Sequence, residues 1–280
     1  MGQNKLLTDM EVRSQMSYIT SEHRRIHYRK QGNGPVTVLF ESGIGGGIED
    51  WNLIQPVLAE HHTTVSYTRA GNGLSDAYSE PYTLDHLFSD FLEVTSLCTK
   101  GPFILVGHSF GGGLIKHWAY LLDQAITGLC FIDPSDYQYS KAMMSYRTEE
   151  QKKYWKTLVT PPEVNSVERI SEQSFFQTFL QQIDSTPFRS DIATQIIACD
   201  NLNGTEESIK GFGLDPKLAP ASLLLKDNET WESTHRDWLN KMPQAHFHLA
   251  EGAGHYINRT KPQLIIDCIK ELINRSSLKN

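Results

Sequence analysis

Cysteine is scarce in this chain. Four cysteines are spread over 280 residues, at Cys98, Cys130, Cys199 and Cys268, and no C-x-x-C pair is present to hold a metal or a redox disulfide. Cys98, Cys130 and Cys268 lie in apolar runs and read as small core hydrophobes, so reduced thiols in a cytoplasmic protein are expected. Long apolar runs are missing too: no stretch approaches the roughly 18 apolar residues that span a bilayer. The opening M-G-Q-N-K-L-L-T-D-M is too polar for a secretory signal. Met1-Gly2 matches the start of a myristoylation site, but Leu6 stands where Ser or Thr is needed. Nor is there a basic run. Lys and Arg are scattered through a chain of net charge −7, which lacks the clustered cationic footprint of a nucleic-acid binder. Low-complexity linkers and internal repeats are likewise absent.

What is present is an ordinary globular mix, 39% apolar and 21% charged, with material for one large core. Glu11–Tyr18 and Arg24–Lys30 read as two antiparallel strands joined by a polar turn. Val36–Phe40, Thr64–Tyr67, Phe103–Val106 and Gly128–Ile132 are continuous apolar runs, the mark of strands covered on both faces. Helical stretches over Trp51–Glu60, Leu84–Thr99 and Ser109–Asp123 alternate with them, which implies an α/β fold with a mostly parallel sheet and helices on both faces. From Asp136 to Leu218 the alternation stops. That stretch is polar, helical in period and studded with Tyr146, Tyr154, Trp155, Phe175, Phe176 and Phe179. It is expected to be a helical cap (136–218) inserted after the sixth strand of a core formed by 1–135 and 219–280. Strands at Ser222–Leu225 and Ala245–Leu249, a helix over Thr230–Lys241 and a last helix over Pro262–Asn274 complete the expected order.

Phe103-Ile104-Leu105-Val106-Gly107-His108-Ser109-Phe110-Gly111-Gly112 places G-x-S-x-G between a buried strand and a helix. So tight a strand-to-helix turn leaves no room for a Cβ two residues before or after the serine, and Gly107 and Gly111 meet that demand. Ser109 is thereby presented at the start of a helix, where developing negative charge is favoured.

With these residues the chain resembles the α/β-hydrolase superfamily, over about Met10 to Asn274. Glu41-Ser42-Gly43-Ile44-Gly45-Gly46 follows the third strand, where that family carries an oxyanion loop. Thr68-Arg69-Ala70-Gly71-Asn72-Gly73-Leu74-Ser75 is similar to its D-x-x-G-x-G-x-S stretch, with Thr68 in place of Asp. Glu251-Gly252-Ala253-Gly254-His255 resembles the loop that carries the family's histidine. The resemblance implies an eight-stranded sheet, a Ser109 nucleophile and a His255 base. Of eleven histidines, His255 alone sits in a Gly-flanked loop between a strand and the closing helix. His246 and His248 alternate along a strand and read as face residues, and His108 packs beside the serine.

Two residues fit the acid that orients the imidazole. Asp227 follows the expected seventh strand, the family's commonest location; Asp133, in F-I-D-P-S-D, ends the sixth, and Pro134 would fix the loop just beyond it. The N–H groups of Phe110 and Ile44 are the candidate oxyanion donors, and Gly43, Gly45, His108, Tyr137 and Met143 the candidate substrate contacts. The glycines satisfy neither the Walker nor the Rossmann spacing, so nucleotide binding is not expected.

The expected chemistry is attack by Ser109 on a small, partly apolar ester-like acyl substrate, with no metal or organic cofactor. Carbon–carbon bond and thioester hydrolysis reuse the same residues and stay open, as does a slow-turnover ligand receptor. Dehalogenase and epoxide hydrolase chemistry call for a carboxylate nucleophile, which Ser109 is not.

Overall fold

Side chains along the apolar runs alternate between two separate cores, and that alternation fixes the sheet. Val38 and Phe40 join one buried cluster and Leu39 the other; Ile104 and Val106 part from Leu105 in the same way. The computed structural model describes residues 17–98, 102–122, 126–159, 172–200 and 214–277. Strands β1 (Ser17–Ser21), β2 (Arg24–Gln31), β3 (Thr37–Glu41), β4 (Thr63–Tyr67), β5 (Phe103–His108), β6 (Ile126–Ile132), β7 (Ala193–Cys199) and β8 (Ala245–Ala250) form one sheet. Its order is β1-β2-β4-β3-β5-β6-β7-β8. The pairs β1–β2 and β2–β4 are antiparallel and the rest parallel. Of the first expected strand, Glu11–Met16 lies outside the described residues. The register sets Glu41 beside Gly107, His108 beside Ile132, and Ile132 beside Ile197. The carboxyl ends of four neighbouring strands therefore meet at one edge, where open α/β sheets bind ligands.

Helices cover both faces. α1 (Gln55–Ala59) and α9 (Pro262–Ser277) bury Leu58, Ile265, Ile269 and Leu272 against the Val38 side. α2 (Leu84–Ser96) and α3 (Phe110–Leu121) bury Leu87, Phe91, Leu114 and Trp118 against the Leu39 side. α2 starts where Thr83 accepts the His86 N–H at 3.1 Å, a side-chain N-cap. α8 (Ile257–Thr260) is a single turn before α9. Among the described residues no helix is long and apolar enough to cross a membrane.

The second half of the chain departs from expectation. α4 (Tyr137–Ser145), α5 (Glu149–Val159), a 3-10 turn at Glu172–Phe175 and α6 (Phe176–Asp184) follow β6. The seventh strand then comes at Ala193–Cys199, inside the stretch expected to be cap, and pairs with β6 in the core sheet. Ser222–Leu225 is not a strand; it opens α7, Ala221–Leu239. Leu224, Asp227, Trp231, His235 and Trp238 are the buried positions of that helix, spaced three and four apart, while Leu225 is 59% exposed. This is a helical stripe, and a three-leucine run cannot be told from a strand without it. Thr194 and Gln195 hid the true strand. Both are buried, and Gln195 is satisfied by Glu271 at 3.0 Å and His248 at 2.6 Å.

Asp227 therefore stands within a helix, away from any strand tip. Its carboxylate is fully buried and takes Arg147 Nη2 at 2.5 Å and the Tyr146 hydroxyl at 2.7 Å, joining α7 to the turn after α4. A buried charge stripped of its partner costs about 3–5 kcal/mol, whereas replacing the whole pair by apolar groups is often neutral. Arg147→Met should lower the melting temperature sharply, and the double variant Arg147→Met/Asp227→Leu should recover most of the loss. Calorimetry on the three proteins checks this; a single variant as stable as the wild type would show the pair to be idle.

Candidate active site

Ser109 sits at the corner between β5 and α3 with φ 53° and ψ −121°, a left-handed setting that L-residues avoid. The neighbouring backbone permits it. A Cβ on Gly107 would lie 2.4 Å from the Gly111 carbonyl oxygen, and one on Gly111 would lie 2.1 Å from that of Glu41. Three hydrogen bonds hold the corner: Ser109 N–H donates to the Ile132 carbonyl at 3.0 Å, and the Ser109 carbonyl accepts Gly112 and Ser135 N–H at 2.9 Å each. The hydroxyl is thereby aimed at the imidazole of His255, with Oγ 2.9 Å from Nε2.

Asp133, at the end of β6, is the other strained residue here, with φ 45°. Its fully buried carboxylate takes His255 Nδ1–H at 2.5 Å on Oδ2. The Cys199 thiol also approaches Oδ2, at 3.2 Å, and Oδ1 accepts Trp231 Nε1–H at 2.6 Å and Cys199 N–H at 2.9 Å. Burial alone would raise this carboxyl's pKa. The hydrogen bond and charge of His255, with help from His235 and the Cys199 amide, outweigh it and hold the group below its ordinary value. Asp133 is thus anionic at neutral pH, which assigns the proton on His255 to Nδ1 and leaves Nε2 free to accept from Ser109. The structure joins Ser109, His255 and Asp133 in one chain of hydrogen bonds; Asp227 is no part of it.

The glycine-rich loop after β3 lies against this corner. A Cβ on Gly43 would stand 3.3 Å from Ser109 Cβ and 3.2 Å from His108 Nδ1. Phe110 opens α3 directly after Ser109, and Ile44 directly follows Gly43 in the loop against the serine. Gly45 is exposed, and its N–H donates to Glu172 Oε1 at 2.7 Å. His108 packs on His255 with ring centroids 4.8 Å apart and donates through Nε2 to the His255 carbonyl at 2.8 Å. Tyr137 borders a cavity of about 10 Å³ together with Ser135. Met143 is 2% exposed and packs in the core with Tyr139 and Trp231. A larger cavity, about 490 Å³, opens between α4 and α7 beside Lys226, Glu229 and Asp237, and borders neither Ser109 nor His255. Of the expected cap, 160–171 and 201–213 lie outside the described residues. No group of three His, Cys, Asp or Glu side chains is placed to hold a metal among the described residues.

Several residues here escaped the sequence reading. Trp231 and Cys199 hold the Asp133 carboxylate, and Ser135 brings a second hydroxyl to 3.3 Å from Ser109 Oγ. Asp200, just past β7, occupies the place that Asp227 was expected to fill; it accepts the Gly252 N–H at 2.8 Å. Placing β7 correctly would have pointed to Asp200 and Cys199. Nothing local marks Trp231 or Ser135.

The alpha/beta hydrolase family profile matches residues 38–267. Over 269 residues, 90% of this chain and 88% of the relative, the sequence is 20% identical to a putative esterase/lipase of Haemophilus influenzae. A match of 118 residues, 40% of this chain, is 28% identical to an uncharacterized protein of Mycobacterium tuberculosis and spans 34% of that protein's length. The fold is similar to a carboxylesterase structure from the thaumarchaeon Nitrososphaera gargenis, at TM-score 0.61 and 13% identity, covering 94% of this chain and 100% of that one.

His108 gives the site a pH signature. Burial, reinforced by the neighbouring His255, pushes its pKa down to about 4, so the ring is neutral at pH 7. Unfolded, it titrates near 6.5. Between those values the unfolded chain binds a proton that the folded chain excludes, so stability falls as pH drops through this window. His108→Gln should flatten this acid limb: between pH 7 and 4.5 it should lose about 2–3 kcal/mol less unfolding free energy than the wild type. Urea titrations at the two pH values measure it, and parallel losses would contradict the assignment.

Proposed function

Because this chain belongs to the alpha/beta hydrolase family, we propose that it is a serine hydrolase that cleaves small, partly apolar carboxylic esters through an acyl-enzyme on Ser109. The observation that carries the reading is the unbroken run from Ser109 Oγ to His255 Nε2, 2.9 Å, and from His255 Nδ1 to Asp133, 2.5 Å. A serine hydroxyl is a poor nucleophile until a base takes its proton during attack.

In the proposed cycle Ser109 Oγ bonds to the acyl carbon as its proton passes to His255 Nε2. Asp133 stays ionised and stabilises the imidazolium. The carbonyl oxygen gathers negative charge and is met by the N–H groups of Phe110 and Ile44, donors fixed before the charge appears. Collapse of the tetrahedral adduct breaks the bond to the alkoxy oxygen, which leaves with the proton from His255. Water, deprotonated by the same imidazole, then attacks the acyl-enzyme and frees the acid and Ser109.

The helices between β6 and β7 act as the cap in this reading. Phe176 and Phe179 pack on Phe110, next to the nucleophile, with centroids 5.4 and 6.1 Å away, and supply apolar surface on that side. None of the four cysteines is joined in a disulfide, which suits a reducing cytoplasm.

Wild-type protein should be labelled by a fluorophosphonate and should hydrolyse short p-nitrophenyl esters, while Ser109→Ala loses the label and at least about a thousandfold in kcat. Asp133→Asn should cost about 10³–10⁴ in kcat, the penalty of a mis-set tautomer, and Asp227→Asn should leave kcat of the folded protein within a few-fold. A panel of esters, thioesters and carbon–carbon substrates separates the reactions open to these residues. Wild-type protein that neither reacts with the probe nor turns over any of the panel would refute the reading.

A further inference from the structure

The loop that offers the Ile44 N–H is held from behind by a fully buried ion network, one member of which belongs to the inserted segment. Arg69, 2% exposed, lies behind the loop, just after β4. Its Nη1 donates to Glu41 Oε1 at 2.6 Å and to the Ser42 carbonyl at 2.7 Å. Its Nη2 donates to the Gly43 carbonyl at 2.7 Å and to Glu172 Oε1 at 2.8 Å, and Nε reaches Glu172 Oε2 at 2.6 Å. Glu172, in the 3-10 turn before α6, is 1% exposed and meets the guanidinium in the two-bond fork that carboxylates favour. Glu41 is steadied on its other oxygen by the Tyr67 hydroxyl and by Trp118 Nε1.

Two of these contacts fall on the peptides that matter. The Gly43 carbonyl and the Ile44 N–H belong to one peptide unit, which is trans, so its C=O and N–H point in opposite directions. Arg69 grips the oxygen and so fixes the heading of the N–H. It also polarises the group, which strengthens the N–H as a donor. The next peptide is fixed from the other side: the Gly45 N–H donates to Glu172 Oε1, the same oxygen that takes Arg69 Nη2. Gly45 itself has φ 68° and nothing within 4 Å of where its Cβ would be, so packing does not determine its conformation. The turn bond from the Gly46 N–H to the Gly43 carbonyl, 3.0 Å, and the ion network hold it.

We propose that Arg69 and Glu172 are positioning residues for the oxyanion hole, and that Glu172 makes the hole complete only when the inserted segment is docked. Neither touches substrate. The proposal rests on the serine-hydrolase reading, in which the Ile44 N–H stabilises the tetrahedral oxyanion. With Glu172 absent, Arg69 keeps Glu41 and both loop carbonyls, but Gly45 loses its acceptor and the loop is held there only by the turn bond from Gly46 N–H to the Gly43 carbonyl. Such a loop still admits a ground-state ester, yet it meets the transition state with one donor misaligned. Loss of a whole oxyanion donor costs about 10²–10³ in kcat, and misalignment should cost less than that.

The test compares Glu172→Ala and Glu172→Gln with wild type on one short p-nitrophenyl ester. Alanine should lower kcat about 10- to 100-fold with KM within about threefold, and should weaken a boronic acid inhibitor in step with kcat/KM. Glutamine keeps an acceptor for Gly45 and should restore part of kcat. Hydrogen exchange of the Ile44 and Gly45 amides should speed up in the alanine variant, a readout that needs no activity. An alanine variant with wild-type kcat and wild-type exchange at both amides would overturn the proposal, as would a fall in melting temperature with kcat per folded molecule unchanged. If wild-type protein fails to react with a fluorophosphonate, the hydrolase reading itself falls and takes the catalytic role with it. The exchange result then reports on the loop alone.

Discussion

Everything at the candidate site depends on a serine held in a conformation that its own backbone resists. A left-handed residue of this kind costs on the order of 1–3 kcal/mol and persists only where its surroundings over-determine it. At Ser109 they do. Its N–H is bonded to β6, its carbonyl takes two further N–H groups, and glycines at 107 and 111 let helix and strand approach closely enough to close the corner. Asp133 repeats the device one strand away, with φ 45° and its N–H on the Ile197 carbonyl at 2.6 Å. Two adjacent parallel strands thus end in strained residues, and both side chains turn toward the same imidazole. The strain is carried by a sheet whose central strands are buried on both faces.

Buried charge is the second constraint, and the fold handles it the same way each time. Asp133 is surrounded by donors from β7, α7 and the loop after β8. Asp227 is paired with Arg147, and Arg69 lies between Glu41 and Glu172. Each ion would be prohibitively costly alone in a low-dielectric interior, and none is alone. The partners come from segments far apart in sequence, so each pair also fixes how two elements meet. Asp133 is a case in point: Trp231 reaches its carboxylate at 2.6 Å from a helix that begins well after β7.

The sequence made some of this visible and hid the rest for physical reasons. Continuous apolar runs at Val36–Phe40 and Phe103–Val106, each buried on two faces, correspond to β3 and β5, and G-H-S-F-G between strand and helix gave the corner its position. Gly254-His255 after β8 was equally legible, because only one histidine had that setting. The seventh strand was not. Its Thr194 and Gln195 are buried but polar, and their partners lie on β8 and α9 or at the Ile192 carbonyl just before the strand, so local hydropathy reads the run as something else. Mistaking Ser222–Leu225 for that strand then promoted Asp227 to a strand tip. The choice between the two acids rested on strand order, and only the tertiary structure supplies it. Trp231, Ser135 and Glu172 carry no motif; they matter because of what they touch.

In the proposed reading, the order in which charges meet the loop after β3 explains why three ions stand behind a hole meant for a fourth. An oxyanion is stabilised by dipoles already aimed at it, and dipoles on a glycine-rich loop do not stay aimed unaided. A lone cation behind the loop would orient the Gly43 carbonyl, but it would also draw substrate carboxylates and water toward itself. With Glu41 and Glu172 bound to its other nitrogens, Arg69 spends its charge inside the protein while two of its N–H groups still hold the Ser42 and Gly43 carbonyls. The nearest charge dominates at contact distance, because Coulomb energy falls with separation, and the guanidinium is the charge bonded to those carbonyls. The Ser42 and Gly43 carbonyls therefore meet the guanidinium, the Gly45 N–H meets a carboxylate, and the two carboxylates outnumber the single cation. Glu172 lies in the 3-10 turn between β6 and β7, so in the proposed reading the same arrangement ties the aim of the hole to the seating of the helices between those strands.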